Sequence, residues 1–321
     1  MMTNPPWVKL ALRLNGAGGA VPFAIPGPLP NEGGPLWIHL DYTFDEARDW
    51  LEQQPDVPDT VIEALFAADT RPRAADVGGG LVIYLRGVNL APGARPEDMI
   101  AVRIWIRGGL IVSTQKRQLM TLTEITSELE RGEGACTPSD LVKRLVDGLI
   151  WRMEDVVERI EDQVGDCAEM LESKPDKALT HEISSLRRRV VTLRRYLAPQ
   201  REAIARLHND ARIDRDDAEI IREAGERLQR LLEDLDAARD HATLLQEEVF
   251  SVQNEAINDR MYLLAIISAL FLPLGFLTGL FGINVGGLPG LDDPQAFWWF
   301  AGTLLIIATG ILVWMARRRW F

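Results

Sequence analysis

The spacing of apolar residues along the chain changes character several times, and those changes divide it. Up to about residue 135 short alternating or continuous apolar runs are interleaved with short helical ones. Leu36 to Leu40 (LWIHL) reads as a strand, as do Gly80 to Val88 (GLVIYLRGV) and Met99 to Thr114 (MIAVRIWIRGGLIVST), the last split into a hairpin at Gly108 and Gly109. Thr43 and Glu46 form a candidate capping box for a helix from Asp45 to Gln53, and Pro58 to Ala68 predicts a second short helix. Residues 1–35 are dense in proline and glycine and predict an irregular lead-in. Residues 1–136 therefore read as an α/β subdomain with a mainly antiparallel sheet.

From Thr137 onward the strand signal ends, and Ser139 or Asp140 is the expected N-cap of a helix whose apolar stripe (Leu141, Leu145, Leu149, Val156, Ile160, Val164, Cys167, Leu171) stops near Pro175. A second helix runs from about Asp176 to Asn209, with a break or kink expected at Pro199. In the third, Ile221, Ala224, Leu228, Leu231, Leu235, Ala238, Ala242, Leu245, Val249, Val252 and Ala256 alternate by three and four residues, a heptad seam and an expected site of association between copies. No Pro or Gly interrupts the chain from Glu226 to Leu272, so seam and following apolar stretch predict one rod on the order of 100 Å long. Residues 137–260 read as a helical subdomain and stalk.

That apolar stretch, Met261 to Phe281, lacks charged side chains and has the length a helix needs to cross a bilayer. A second run, Ala296 to Met315, follows a short loop over residues 282–295, so residues 261–321 read as a transmembrane domain with two spans. The fold class expected is an α/β cytoplasmic domain, a long α-helical stalk and two C-terminal transmembrane helices. Arg260 precedes the first span and Arg317, Arg318 and Arg319 end the chain, whereas the loop has no Lys or Arg. Both termini are expected in the cytoplasm, and no cleaved signal is read at the N-terminus because Lys9 and Arg13 interrupt its apolar patch.

Two spans cannot enclose a pore alone, so conduction would require several copies around an axis. On the first span Asn258, Met261, Ala265, Ser268, Leu272, Gly275, Gly279 and Gly282 share one small, weakly polar face, suited either to close helix packing or to lining a narrow path. The span's C-terminal carbonyls and the Asn284 amide would present oxygens to a hydrated cation. Asp292 and Asp293 would form an acidic collar in a ring, or give ordinary solubility in one copy.

The charge balance fits this picture: 47 acidic against 35 basic residues give a net charge of −12, which argues against a nucleic-acid partner and leaves cations. Cys136 and Cys167 lie far apart in sequence and read as free thiols, and the four histidines are scattered outside the spans. Asp155, Glu158, Glu161 and Asp162 read as helix-surface charge, with a regulatory divalent ion as the alternative. Arg187 to Arg189 with Arg194 and Arg195 read as an ion-paired helix face. Gly78 to Gly80 is a turn rather than a phosphate loop, since no Gly-Lys-Ser/Thr follows. No catalytic motif suggests an enzyme. A membrane-anchored signalling protein would need an output domain or an outer sensor, and the loop is too short to fold as one.

Gly282-Ile283-Asn284, after a heptad helix and before an acidic loop and second span, resembles the Gly-Met-Asn signature of the CorA-type divalent cation transporters. The Met to Ile change and the following Val-Gly-Gly-Leu-Pro-Gly resemble the ZntB branch, associated with zinc. This resemblance covers about residues 36–321 and implies a funnel-shaped homopentamer in a bacterial-type inner membrane, with no resident cofactor and a transported divalent cation, Zn²⁺ before Mg²⁺, Co²⁺ or Ni²⁺. It further implies an outer recognition ring of Gly282, Ile283 and Asn284, a polar ring at Asn258, and narrow apolar rings at Met261 and Leu264. Leu272 and Gly275 stand where the magnesium members carry a pore-facing Met and Thr. The branch also suggests proton coupling, although neither span contains Asp, Glu, His or Lys.

Overall fold

The computed structural model describes residues 4–25, 29, 33–68, 70–173, 177–282 and 294–317. Two compact units emerge, Met1–Gln246 and Glu247–Phe321. In the first, β1 (Val8–Leu14), β2 (Ala20–Pro22), β3 (Leu36–Asp41), β4 (Arg73–Val77), β5 (Gly80–Gly87), β6 (Ile100–Arg107) and β7 (Leu110–Gln115) form one sheet in the order β2-β1-β3-β7-β6-β5-β4. Every pairing is antiparallel except β3 with β7, where Leu36 stands opposite Leu110 and Asp41 opposite Gln115. The chain turns between β4 and β5 at Gly78 and Gly79 (φ 58 and 72), both left-handed, as a tight two-residue hairpin requires.

The strands β3, β5 and β6 are apolar on both faces because both are covered. One face, with Ile38, Leu40, Val82, Tyr84, Trp105 and Val112, packs on α1 (Asp45–Glu52) and α2 (Asp59–Phe66) through Trp50, Leu51, Val61, Ile62 and Leu65. The other meets α3 (Met120–Arg131), α4 (Pro138–Ser173) and α5 (Lys177–His208). At Gly87 an added Cβ would lie 2.5 Å from Leu119 and 2.7 Å from Leu149, so glycine is what lets α3 and α4 approach the sheet. On α5, the fully buried Gln200 accepts the Arg86 backbone N–H at its Oε1 (2.7 Å), just past the end of β4.

Residues 1–35 are not merely a lead-in: VKLALRL is β1, and β2 returns along it after the turn at Asn15, whose Oδ1 accepts the N–H groups of Ala17 and Gly19. Val8, Leu10, Leu12 and Leu14 do alternate with Lys9, Ala11 and Arg13, but the run is short and sits among the prolines and glycines of residues 1–35, and its pairing with β3 shifts register between Val8 and Leu10. The capping box at Thr43 does not form either. Thr43 Oγ1 donates to Asp41 Oδ1 at 2.6 Å, and Phe44 is the uncapped N-cap of α1. At α4 the capping oxygen belongs to Thr137, which accepts the Asp140 N–H at 3.1 Å, with Pro138 as first helical residue. Ser139 Oγ instead accepts the Asp214 N–H and the Asp140 carboxylate the Cys136 N–H.

α5 continues through Pro199 without ending there. α6 (Arg215–Gly282) is the rod anticipated from the pattern, but its seam from Ile221 to Leu245 is buried inside this chain rather than left free for a second copy. Gly225 of α6 lies on Ile204 of α5. Arg194 reaches Asp236 at 2.7 Å, Arg201 reaches Gln229 at 2.9 Å, and Lys143 of α4 bridges Asp140 and Asp217 at 2.6 and 2.9 Å. The seam closes a three-helix bundle, and helices long enough to supply that bundle were already present upstream. The arginine run takes part in it: Arg187 binds Gln246, and Arg189 binds Gln163 at 2.6 Å and Glu97 at 3.5 Å.

Candidate functional site

The second unit holds the membrane half of α6 and α7 (Ala296–Arg317), the two described helices long and apolar enough to cross a membrane. α7 packs along one side of α6. The rings of Phe281 and Phe300 meet at a tilt of 52° with centroids 4.9 Å apart, and Tyr262, Ile266, Leu270, Pro273, Leu274 and Leu277 are half-buried on the same side of α6. Ala296, Phe300, Leu304, Ile307, Ile311 and the buried Met315 form the matching stripe of α7, again at three- and four-residue steps.

The face singled out from sequence lies on the other side. Asn258, Met261, Leu264, Ala265, Ser268, Leu272, Gly275, Gly279 and Gly282 are all exposed, about half a turn around the helix from the α7 contact. Met261, Leu264 and Leu272 are 58%, 62% and 74% exposed, and a Cβ added at Gly275, Gly279 or Gly282 would touch nothing. α7 therefore accounts for one side of α6 and leaves a stripe of small and apolar residues, interrupted by Asn258 and Ser268, without a neighbour among the described residues. Such a stripe can meet the same stripe of other copies or border a narrow path between them.

Ile283, Asn284, Asp292 and Asp293 lie outside the described residues. α7 begins beyond them with Trp298 and Trp299, 75% and 73% exposed, where indoles suit a bilayer interface.

A further polar feature had no clear sequence signal, being defined only by the phase opposite the buried seam. In the first unit Glu223, Glu226, Glu233 and Asp240 of α6 are exposed on that phase with Arg230 among them; in the second, Glu247 and Glu255 precede Asn258 on it. On α4, burial and then the nearby Asp234, Asp162 and Glu158 hold Glu161 above the usual carboxylate range. Among the described residues no three His, Cys, Asp or Glu side chains converge as a metal site. His39 is buried in the sheet, and His208 Nδ1 faces the Ala218 carbonyl at 3.1 Å. Cys136 and Cys167 are free.

Residues 32–318 match the family model for the CorA-like Mg²⁺ transporter protein. The chain is 35% identical over 314 residues to the zinc transport protein ZntB of Pectobacterium carotovorum subsp. carotovorum (strain PC1), covering 97% of this chain and 95% of that one. It is 38% identical over 318 residues to the divalent cation transporter CmaX of Pseudomonas aeruginosa (strain PAO1), covering 95% and 94%. The structure of the full-length CmaX protein superposes with a TM-score of 0.85 at 35% identity, covering 100% of this chain and 99% of that one.

Proposed function

The chain belongs to the CorA family, and from that premise we propose that it carries divalent cations, zinc foremost, across a membrane along an axis shared by several copies, five in the expected assembly. The observation that supports this reading is the face of α6 from Asn258 to Gly282, which lies opposite the α7 contact and is uncovered among the described residues, free to meet other copies. Asn258 would ring the inner mouth. Met261 and Leu264 would narrow it with apolar side chains that exclude water when closed, and Ser268, Leu272, Gly275 and Gly279 would border the path. At the outer end Gly282, Ile283 and Asn284 would offer oxygens to a hydrated ion, with Asp292 and Asp293 concentrating cations outside.

Zinc is favoured by the similarity to a zinc transport protein over nearly the whole chain. Magnesium is the second reading, favoured by the description of the family model. Arg260 and the arginines from Arg317 support an orientation with both termini in the cytoplasm, in a bacterial-type inner membrane.

The test is metal flux into proteoliposomes, zinc against magnesium, for the native chain, Asn284→Ala and Gly275→Leu. Space around Gly275 allows the larger side chain within one copy, so the expected result is a folded assembly of native size with most of its flux lost. Asn284→Ala should alter ion preference or rate. Native flux in both variants would remove the proposed path, and magnesium flux without zinc flux would move the chain to the second reading.

A further inference from the structure

Among the face residues of α6 from Met261 to Gly282, Ser268 is the one polar side chain. At 1.5 Å per residue it lies about 15 Å along the helix from Asn258 and about 21 Å from Gly282, near the middle of the apolar stretch. A hydroxyl at that depth needs a partner, because hydrocarbon offers no hydrogen bonds.

The described threonines of the two membrane helices find theirs in their own backbone. Thr278 donates to the Leu274 carbonyl at 3.0 Å, Thr303 to Trp299 at 2.9 Å and Thr309 to Leu305 at 2.8 Å, each closing on the turn before it. Ser268 has the Leu264 carbonyl at the same offset, yet its hydroxyl makes no hydrogen bond among the described residues. Its partner is left to come from another copy or from water.

The neighbours favour water. Leu264 and Leu272, four residues before and after Ser268 and therefore on either side of it, are 62% and 74% exposed. Copies approaching along this face meet first at these longer side chains, which leaves the short serine set back between two apolar collars. A recess lined by hydroxyls at that level holds water, and a cation crossing from the Asn258 end reaches it after the first collar.

We propose that Ser268 is a mid-membrane station for the transported divalent cation: its hydroxyls, one from each copy, accept hydrogen bonds from the ion's water shell between the Leu264 and Leu272 collars. A neutral oxygen that touches the shell and not the metal steadies the ion without trapping it. The cation thus passes the middle of the bilayer hydrated. This role rests on the transport reading above and adds to it which residue serves the ion at that depth and in what state the ion travels.

The experiment measures initial flux of zinc and of magnesium into proteoliposomes, over a range of metal concentrations, for the full native chain, Ser268→Ala, Ser268→Thr and Gly275→Leu, with assembly mass and melting temperature taken in detergent. For the metal carried, Ser268→Ala should lower the maximal rate about tenfold, as for loss of a charge-assisted hydrogen bond at the barrier, while mass, melting temperature and half-saturating concentration stay at native values. Ser268→Thr keeps the hydroxyl oxygen and should retain most of the rate. Native rate in Ser268→Ala, with flux lost in Gly275→Leu, overturns the station and leaves the path standing, as does an equal loss in Ser268→Thr and Ser268→Ala. A smaller assembly or a lowered melting temperature in Ser268→Ala also overturns it, because the hydroxyl then joins copies instead of serving the ion. A native chain that carries neither metal overturns the transport reading, and the station with it.

Discussion

Between Ile221 and Leu245, α6 buries every seam residue, with Ile221, Ala224, Leu228 and Leu235 at 0% exposure; between Met261 and Phe281 the same helix leaves Met261, Leu264, Leu272 and Phe276 58% to 74% exposed. The difference is in what lies opposite the apolar stripe. The seam is backed by Glu226, Arg230 and Glu233, so one side turns to water and the other must be covered. No charged residue occurs from Met261 to Gly282, so covering one side with α7 does not make the other side fit for water. An exposed apolar stripe in the first region would be a defect. In the second it identifies the surroundings as lipid or other copies.

The strongest way to break this comparison is to truncate one leucine from each region. Leu228→Ala should cost about 2–5 kcal/mol because it opens a cavity in the bundle, whereas Leu272→Ala should change the stability of the detergent-solubilised chain by no more than about 0.5 kcal/mol. Equal losses on thermal or denaturant unfolding would show that Leu272 is packed as tightly as the seam. Acid should separate the regions next, since the membrane helices carry no carboxylate or histidine between Met261 and Gly282. His39, held at about 4 in the fold against 6.5 when unfolded, binds its proton more readily in the unfolded chain. Its contribution is therefore complete above pH 6.5 and declines as pH falls toward 4, by about 3 kcal/mol in all. A His39→Gln chain should show a flatter stability profile over that window, with the native slope in both chains counting against this assignment.

A smaller effect is expected at the start of α4, where Thr137→Ala removes the cap on the Asp140 N–H and should cost about 1 kcal/mol. The smallest belongs to the bundle surface. Arg194 and Asp236 are 45% and 34% exposed, so Arg194→Ala should cost less than about 1 kcal/mol, with the loss shrinking in high salt.

The long elements were legible because their periods persist. β5, β6 and β7 stand out as apolar runs ended by glycines, and α4 and α6 as sustained stripes. The uncovered face of α6 was legible for the same reason, and α7 then proved to occupy the opposite side. What failed was local or relational. The strand β1 was hidden by the prolines and glycines around it although its residues alternate, and Thr43 found a nearer partner in Asp41 than the helix it precedes. A heptad seam states only that a helix has a partner. That α6 finds its partners in α4 and α5 depends on the path of some 80 intervening residues, as the contact between Asp147 and Arg227 illustrates.

Gln200 has one further consequence. β4 is five residues long against eight in β5, so it leaves the Arg86 N–H beyond its end. The amide oxygen of Gln200 accepts that N–H from a helix, where a longer β4 would have offered a carbonyl. The helix thus supplies from a buried side chain an acceptor that β4 is too short to give, and a Gln200→Leu chain is expected to lose about 1–3 kcal/mol of stability on denaturant unfolding.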